Sequence, residues 1–314
     1  MPIDVDAALG AAAQISEISW TPTDVVLYHL SIGAGSRPGH PELTLTFERD
    51  LSVLPTFGLV AGSGPSSAGA ASSADNAATA DGTSTADGDD SDPAEAPADP
   101  SRMRLPGIDV DLRAVLHAGQ SITAHRPIPA AGRAETRRRV SDVHDLGKAA
   151  LIVIETSVAD AQGPLWTEHS RIYVRGEGGF GGDSGPARQP VPERSPDISF
   201  RVPTRPDQAL LYRLNGDFNP LHIDPKFARS AGLPGPILHG LATYGMVTKA
   251  LTDAVAAGRP EAVSEVGAKF SGMVTPGDEL TIDIWKADVA VHAFRARVEA
   301  TGQTVLDEGV ITLR

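Results

Sequence analysis

Residues 212–223 read Tyr-Arg-Leu-Asn-Gly-Asp-Phe-Asn-Pro-Leu-His-Ile. An aspartate (Asp217), an asparagine (Asn219), a proline (Pro220) and a histidine (His222) stand within six positions, just after Gly216. Glycine loses more backbone entropy than other residues in a helix, and proline bars the residue before it from the α region. The stretch is therefore expected to be a loop that turns a carboxylate and an imidazole toward one point. Leu238, His239 and Gly240 then open a long apolar run that reads as a helix over 240–257. Two proton-handling groups beside a helix N-terminus that can hold a negative oxygen are the equipment of an enzyme.

Working outward, 198–202 reads as a strand and 206–214 as a helix ahead of the loop. Strands are expected at 262–271, 280–287, 290–301 and 309–313. The first half is similar in plan. A helical pattern opens 1–61, and a helix over 23–32 is expected with Thr21 or Thr23 as its cap. Strand signals follow at 120–125, 134–143, 149–158 and 166–174. Each half thus looks like a helix followed by strands, a repeated α+β unit. The expected division is 1–175, a Gly- and Pro-rich linker over 176–197, and 198–314.

Inside the first half, 62–101 contains only Gly, Ser, Ala, Pro, Thr, Asp, Asn and Glu. Without large apolar side chains it cannot offset its ordering entropy, so an insertion without fixed structure is expected. Its eight acidic residues account for much of the net charge of −13, leaving −5 for the rest. That balance gives no basic footprint for nucleic acid. The Arg137–Arg138–Arg139 cluster reads as a solvated strand face, with a phosphorylated ligand as the lesser reading. No cysteine is present, so disulfides, thiolate metal sites and a cysteine nucleophile are excluded. The N-terminus lacks the pattern of a secretory signal, and no run is long enough to span a membrane. A soluble cytoplasmic protein is expected.

The run from Gly176 to Gly181 fits GxGxxG after a strand, but Pro186, Pro190 and Pro192 follow where a dinucleotide loop needs a helix. No nicotinamide or ATP site is expected.

The segment YRLNGDFNPLHIDPKFA at 212–228 resembles the hydratase 2 signature of the MaoC-like dehydratases: an aromatic residue, Gly-Asp-x-Asn-Pro, an aliphatic residue, His, and a small residue six later. DVVLYHLSIGAG (24–35), LPTFG (54–58), LHAGQ (116–120), GEGGFGG (176–182), PILHGLATYG (236–245) and KFSGMVTPGDEL (269–280) are similar to the two-repeat enoyl-CoA hydratase branch. The resemblance implies a double hot-dog fold: two curled antiparallel sheets, each wrapping a central helix. The N-terminal copy would be degenerate, its central helix short and lying around 53–60, leaving space for bulky acyl groups.

It also implies reversible hydration of trans-2-enoyl-CoA to (3R)-3-hydroxyacyl-CoA, on a bulky or long acyl chain as in fatty-acid or steroid side-chain β-oxidation. The implied catalytic residues are Asp217, His222 and Asn219, with the Gly240 N–H as oxyanion donor. His117, Lys148, Tyr212, His239 and Phe270 would contact substrate. The chain departs from the family at 117–120, where His117-Ala118-Gly119-Gln120 lacks a glutamate. Two other readings are a dehydratase acting on acyl-carrier protein and a non-catalytic acyl-CoA binding module. The expected partners are an acyl-CoA and a second copy of the chain, with no cofactor beyond the substrate's coenzyme A. A metal held by Asp217, His222, Asp224 and His239 is the rival for the same residues; no HExxH or HxxxH helix pair accompanies them, and none is expected.

Overall fold

A computed structural model describes residues 2–36, 39–67, 101–187 and 189–314. The N-terminal half carries β1 (Gln14–Trp20), β2 (Arg102–Leu105), β3 (Ile108–Asp111), β4 (Val115–Ala124), β5 (Gly132–Asp145), β6 (Ala149–Asp160) and β7 (Gly163–Arg175). The C-terminal half carries β8 (Ile198–Pro203), β9 (Val263–Phe270), β10 (Glu279–Lys286), β11 (Val291–Val298) and β12 (Thr304–Leu313). The helices are α1 (Val5–Gly10), α2 (Pro22–Ser31), α3 (Leu43–Thr46), α4 (Gln208–Tyr212), α5 (Pro225–Ser230) and α6 (Gly240–Val255).

Ten strands form one antiparallel sheet in the order β1-β5-β6-β7-β4-β9-β12-β11-β10-β8. The order is symmetric about the β4–β9 seam, where Gly119 to Thr123 pair with Lys269 to Glu265. Each half is therefore five strands with the same internal order, fused edge to edge. The repeat shows in the chain as well: Leu27-Tyr28-His29-Leu30 on α2 corresponds to Leu211-Tyr212-Arg213-Leu214, which spans α4 and the turn after it.

α6 is the central helix. Every residue from Ala242 to Thr252 is buried, as expected of a helix enclosed by a sheet. Two of its polar members are satisfied within the helix: the Thr248 and Thr252 hydroxyls donate to carbonyls four residues back, at 2.8 Å each. Strand β11 shows why the sheet wraps it, since alternate residues are buried along its whole length. In the N-terminal half the counterpart is a 3-10 helix of five residues, Pro55–Leu59, as short as expected for 53–60. Gly245 marks the contact between halves: an added Cβ would lie 2.6 Å from the Tyr28 hydroxyl oxygen.

Two local expectations change. The opening of the chain reads as helical, yet after α1 it forms β1, which pairs with β5. Residues 68–100 of the acidic stretch lie outside the described residues. Its beginning, expected to lack fixed structure, is packed: a Cβ on Gly62 would meet Ile18 at 2.7 Å, and Ser66 N–H donates to Asp24 at 3.3 Å. Asp24 also completes the capping box of α2 with Thr21, one of the two caps expected from sequence.

His29, on α2, is wholly buried. Its Nδ1 donates to the Leu45 carbonyl at 2.8 Å, and its Nε2 accepts the Leu54 N–H at 3.3 Å. This neutral tautomer uses both ring nitrogens, and burial drops the pKa to about 4. The unfolded chain binds a proton below about pH 6.5 that the folded chain refuses. Stability is thus expected to fall by about 3 kcal/mol as pH drops from 6.5 to 4 on account of this ring. Urea unfolding across that window checks it, because His29→Gln should flatten the slope by that amount.

Candidate active site

The loop after α4 is built by short-range bonds. Gly216 has φ of 108°, and an added Cβ would stand 2.7 Å from the Cβ of Ser63, so glycine is required twice over. Asn215 behind it is buried and donates to Ser31 Oγ (3.0 Å) and the Tyr212 carbonyl (2.9 Å), tying the loop to the N-terminal half. Asp217 Oδ1 accepts the Asn219 N–H at 3.1 Å, and Asn219 Oδ1 accepts the Leu221 N–H at 2.9 Å. Proline at 220 then starts the 3-10 turn Pro220–His222. Asn219, expected as a catalytic residue, has its side-chain oxygen engaged in shaping this turn.

The turn delivers His222 with its Nδ1 against the Ile237 carbonyl at 2.9 Å. A carbonyl only accepts, so Nδ1 carries the proton and Nε2 of the neutral ring is a free acceptor. Burial lowers the pKa of His222, opposed by the Ile237 bond and the charge of Asp217. The neutral form, a base, is therefore favoured at pH 7.

His239 stacks on His222 with ring centroids 3.7 Å apart and planes 28° from parallel. Its Nε2 donates to the Asp217 carbonyl at 3.3 Å, while its buried Nδ1 makes no hydrogen bond among the described residues. Burial and then the neighbouring His222 charge bring its pKa to about 4. Two stacked imidazoles resist a second positive charge, which keeps this wall neutral. Tyr212 packs on the other side of His239, centroids 5.0 Å apart.

Tyr212 and His239 were expected to touch substrate. In the structure they are 2% and 1% exposed, with His239 stacked on His222 and Tyr212 packed against His239. Lys148 is exposed in the turn between β5 and β6, at the sheet end that holds His117 but two strands away from β4.

Gly240 and Phe270 are brought together as expected. Gly240 is the first residue of α6, so its N–H has no partner within the helix and sits at the positive end of the dipole. A Cβ there would touch the Phe270 ring at 3.9 Å, and Phe270 meets the His117 ring edge-on at 4.8 Å between centroids. His117 Nε2 bonds Gln120 Oε1 at 3.0 Å, and that oxygen also accepts the Ser170 hydroxyl at 2.8 Å. A further rim residue escaped the sequence reading: Phe218 is exposed between Asp217 and Asn219, and the Arg213 guanidinium carbon lies 4.8 Å from its ring centroid. Nothing in the one-dimensional pattern distinguishes it from an ordinary loop aromatic.

The arrangement also bears on a metal. Three ligating atoms, one each from Asp217, His222 and His239, lie within 4.8 Å of one another. Asp224, the fourth group in that reading, is not with them; its carboxylate caps α5 by accepting the Lys226 N–H at 2.7 Å. Three donors with His239 Nδ1 unpaired would suit a small cation as ligands, and suit a held water equally.

Comparison with known proteins gives the family. Residues 187–308 match the MaoC like domain and residues 94–176 the MFE-2 hydratase 2 N-terminal domain. The chain is 46% identical to the enoyl-CoA hydratase ChsH3 of Mycobacterium tuberculosis, over 91% of this chain and 90% of that one. A crystal structure of a MaoC-like dehydratase from Phytophthora capsici superposes with a TM-score of 0.81 at 26% identity, covering 99% of this chain and 98% of that one. A conserved Mycobacterium tuberculosis protein described as a double hot-dog fold matches with a TM-score of 0.51 at 12% identity, over 96% of each chain, a likeness of fold alone. With its symmetric ten-stranded sheet, its Asp217–His222 loop and a relative this similar along nearly its whole length, the chain belongs to the MaoC-like hydratase 2 family of enoyl-CoA hydratases.

Proposed function

We propose that the protein reversibly hydrates a trans-2-enoyl-CoA to a (3R)-3-hydroxyacyl-CoA. The observation that carries this reading is the convergence of the Asp217 carboxylate and the His222 imidazole, one ligating atom of each within 4.8 Å, with the Nδ1–Ile237 bond leaving Nε2 as the acceptor: a pair able to hold one water. The thioester conjugates the double bond with its carbonyl, so attack of water at C3 moves charge onto that oxygen. The Gly240 N–H is the donor for it. His222 Nε2 takes a proton from the water as its oxygen bonds to C3, and Asp217 anchors the second water hydrogen. The enolate then recovers one proton at C2 from the same pair. Water adds across the double bond and the side chains end as they began, so no cofactor is required.

In this reading the C-terminal half (198–314) performs the chemistry, and the N-terminal half (1–175), where the central helix is short, holds the acyl group. His117 and Phe270 line the passage between them. No described helix is long and apolar enough to cross a membrane, and we place the enzyme in the cytoplasm as a homodimer.

The test is steady-state hydration of crotonyl-, decenoyl- and a bulky steroid-side-chain enoyl-CoA, with chiral analysis of the product. An S product, or no turnover of any of the three, overturns the proposal. The same assay decides the metal. Dialysis against a chelator is expected to leave turnover unchanged, whereas loss restored by zinc or magnesium would assign Asp217, His222 and His239 as ligands.

A further inference from the structure

The inner face of the N-terminal half is not uniformly apolar. Alternation along β7 places Trp166, Glu168, Ser170 and Ile172 on one face. Trp166 belongs to the main core and meets Trp20 edge-on, with ring centroids 5.7 Å apart. At the other end, Ile172 and Val174 join Ile152, Ile154, Ile108 and Val110 in a second apolar cluster. Glu168 and Ser170 fall between the two. Their cross-strand partners extend the interruption: Glu168 stands opposite Thr156 on β6, and Ser170 opposite Gln120 on β4. Arg138, opposite Thr156 on β5, adds a positive charge that acts on the carboxyl.

This polar belt begins where the short 3-10 helix stops. Gly58 is pressed against Ile122 and Trp166, at 2.9 and 3.0 Å from an added Cβ. By Gly62 the chain has turned out against Ile18 on β1. A longer helix, like α6 in the other half, would continue over the belt. Glu168 retains part of its accessible surface, yet the surrounding protein desolvates its carboxyl enough to raise the pKa to about 7, with a bond to Thr156 opposing. The belt joins the reacting end of the site through Ser170, Gln120, His117 and Phe270. Ile122, opposite Glu168, is about 15 Å along β4 from His117 at roughly 3.3 Å per residue.

We propose that this belt recognises an oxygen function, a hydroxyl or keto group, on the distal part of the acyl chain, with Glu168 as the specificity-determining group. The inference rests on the hydratase reading above. A purely alkyl chain laid over Glu168 leaves its desolvated carboxyl with Thr156 as its hydrogen-bond partner and nothing from the substrate, and a site built to bond a substrate oxygen rejects the analogue lacking it. A carboxyl that keeps its proton near neutral pH can donate to either oxygen type, and Ser170 and Thr156 can complete the set.

The test is a series of trans-2-enoyl-CoA substrates with one hydroxyl moved along the distal carbons, each compared with the unsubstituted chain of equal length. The wild-type enzyme is expected to favour one hydroxyl position by roughly tenfold in kcat/KM. Glu168→Leu should bring that ratio to about one, and Glu168→Gln, which keeps a donor and an acceptor, should retain most of it. A ratio that survives Glu168→Leu, or no favoured position in the wild type, overturns the proposal. If the wild type hydrates none of these substrates, the hydratase reading fails instead. Calorimetric binding of the matching saturated acyl-CoA pairs to wild type and Glu168→Leu then judges the belt by the same ratio.

Discussion

Asp217→Asn and His222→Ala are each expected to lower kcat by about a hundredfold or more, the usual contribution of a positioned acid or base. Neither change should unfold the loop. Asparagine keeps an oxygen for the Asn219 N–H, and the His222 bond to Ile237 is one of several that hold the turn. The two losses should not multiply in the double variant, because both groups act on one water. The pH profile gives a second readout. Burial holds the pKa of His222 below its ordinary value, so the base form persists as pH falls to about 6.5 and the acid limb of kcat/KM lies below that. Near wild-type turnover in either variant, or an acid limb above pH 7, would contradict the assignment. In His222→Ala the neighbouring imidazolium charge no longer disfavours a proton on His239, whose pKa should rise from about 4. Proton NMR of the remaining ring can follow that shift.

Much of this site was legible because its chemistry is local. Asp217 and Asn219 make their shaping bonds to N–H groups two residues on, and Pro220 starts the turn that ends at His222, so this spacing specified the loop before the Ile237 contact that holds the His222 ring. Strand β11 was legible because one face is buried and the other is not, whereas β10 is buried on both faces. Strand β1 was not legible: all its residues but Ile18 and Trp20 are exposed, so little alternation marks it, and pairing with β5 makes it a strand. Tyr212 and His239 show a different limit. The sequence places them beside the catalytic residues, but which side of His222 they occupy depends on packing against Tyr28 across the two halves. Glu168 was hidden for the same reason. A lone acid in a strand reads as solvated, and what leaves its face uncovered is the early end of the 3-10 helix Pro55–Leu59, an element far from it in the chain.

Gly240→Pro is expected to lower kcat by roughly a hundred- to thousandfold, the cost of losing one oxyanion donor. The position permits the change. Proline suits the first turn of a helix, where its missing N–H has no helical partner anyway. The preceding His239 has φ −55° and ψ 135°, the extended conformation that a residue before proline adopts. α6 should therefore keep its start, and thermal stability should stay within about 1 kcal/mol of wild type, less than proline costs in a helix interior. Gly240→Ala supplies the control. Its N–H remains, and its Cβ meets the Phe270 ring at 3.9 Å, an ordinary contact, so turnover should fall only a few-fold. The distinction from simple obstruction lies in kcat: charge develops on the thioester oxygen only as water adds, so the lost donor weakens the transition state more than the bound substrate. Retained affinity for a saturated acyl-CoA with collapsed turnover would place the oxyanion at Gly240. Wild-type kcat in the proline variant would move it to another donor.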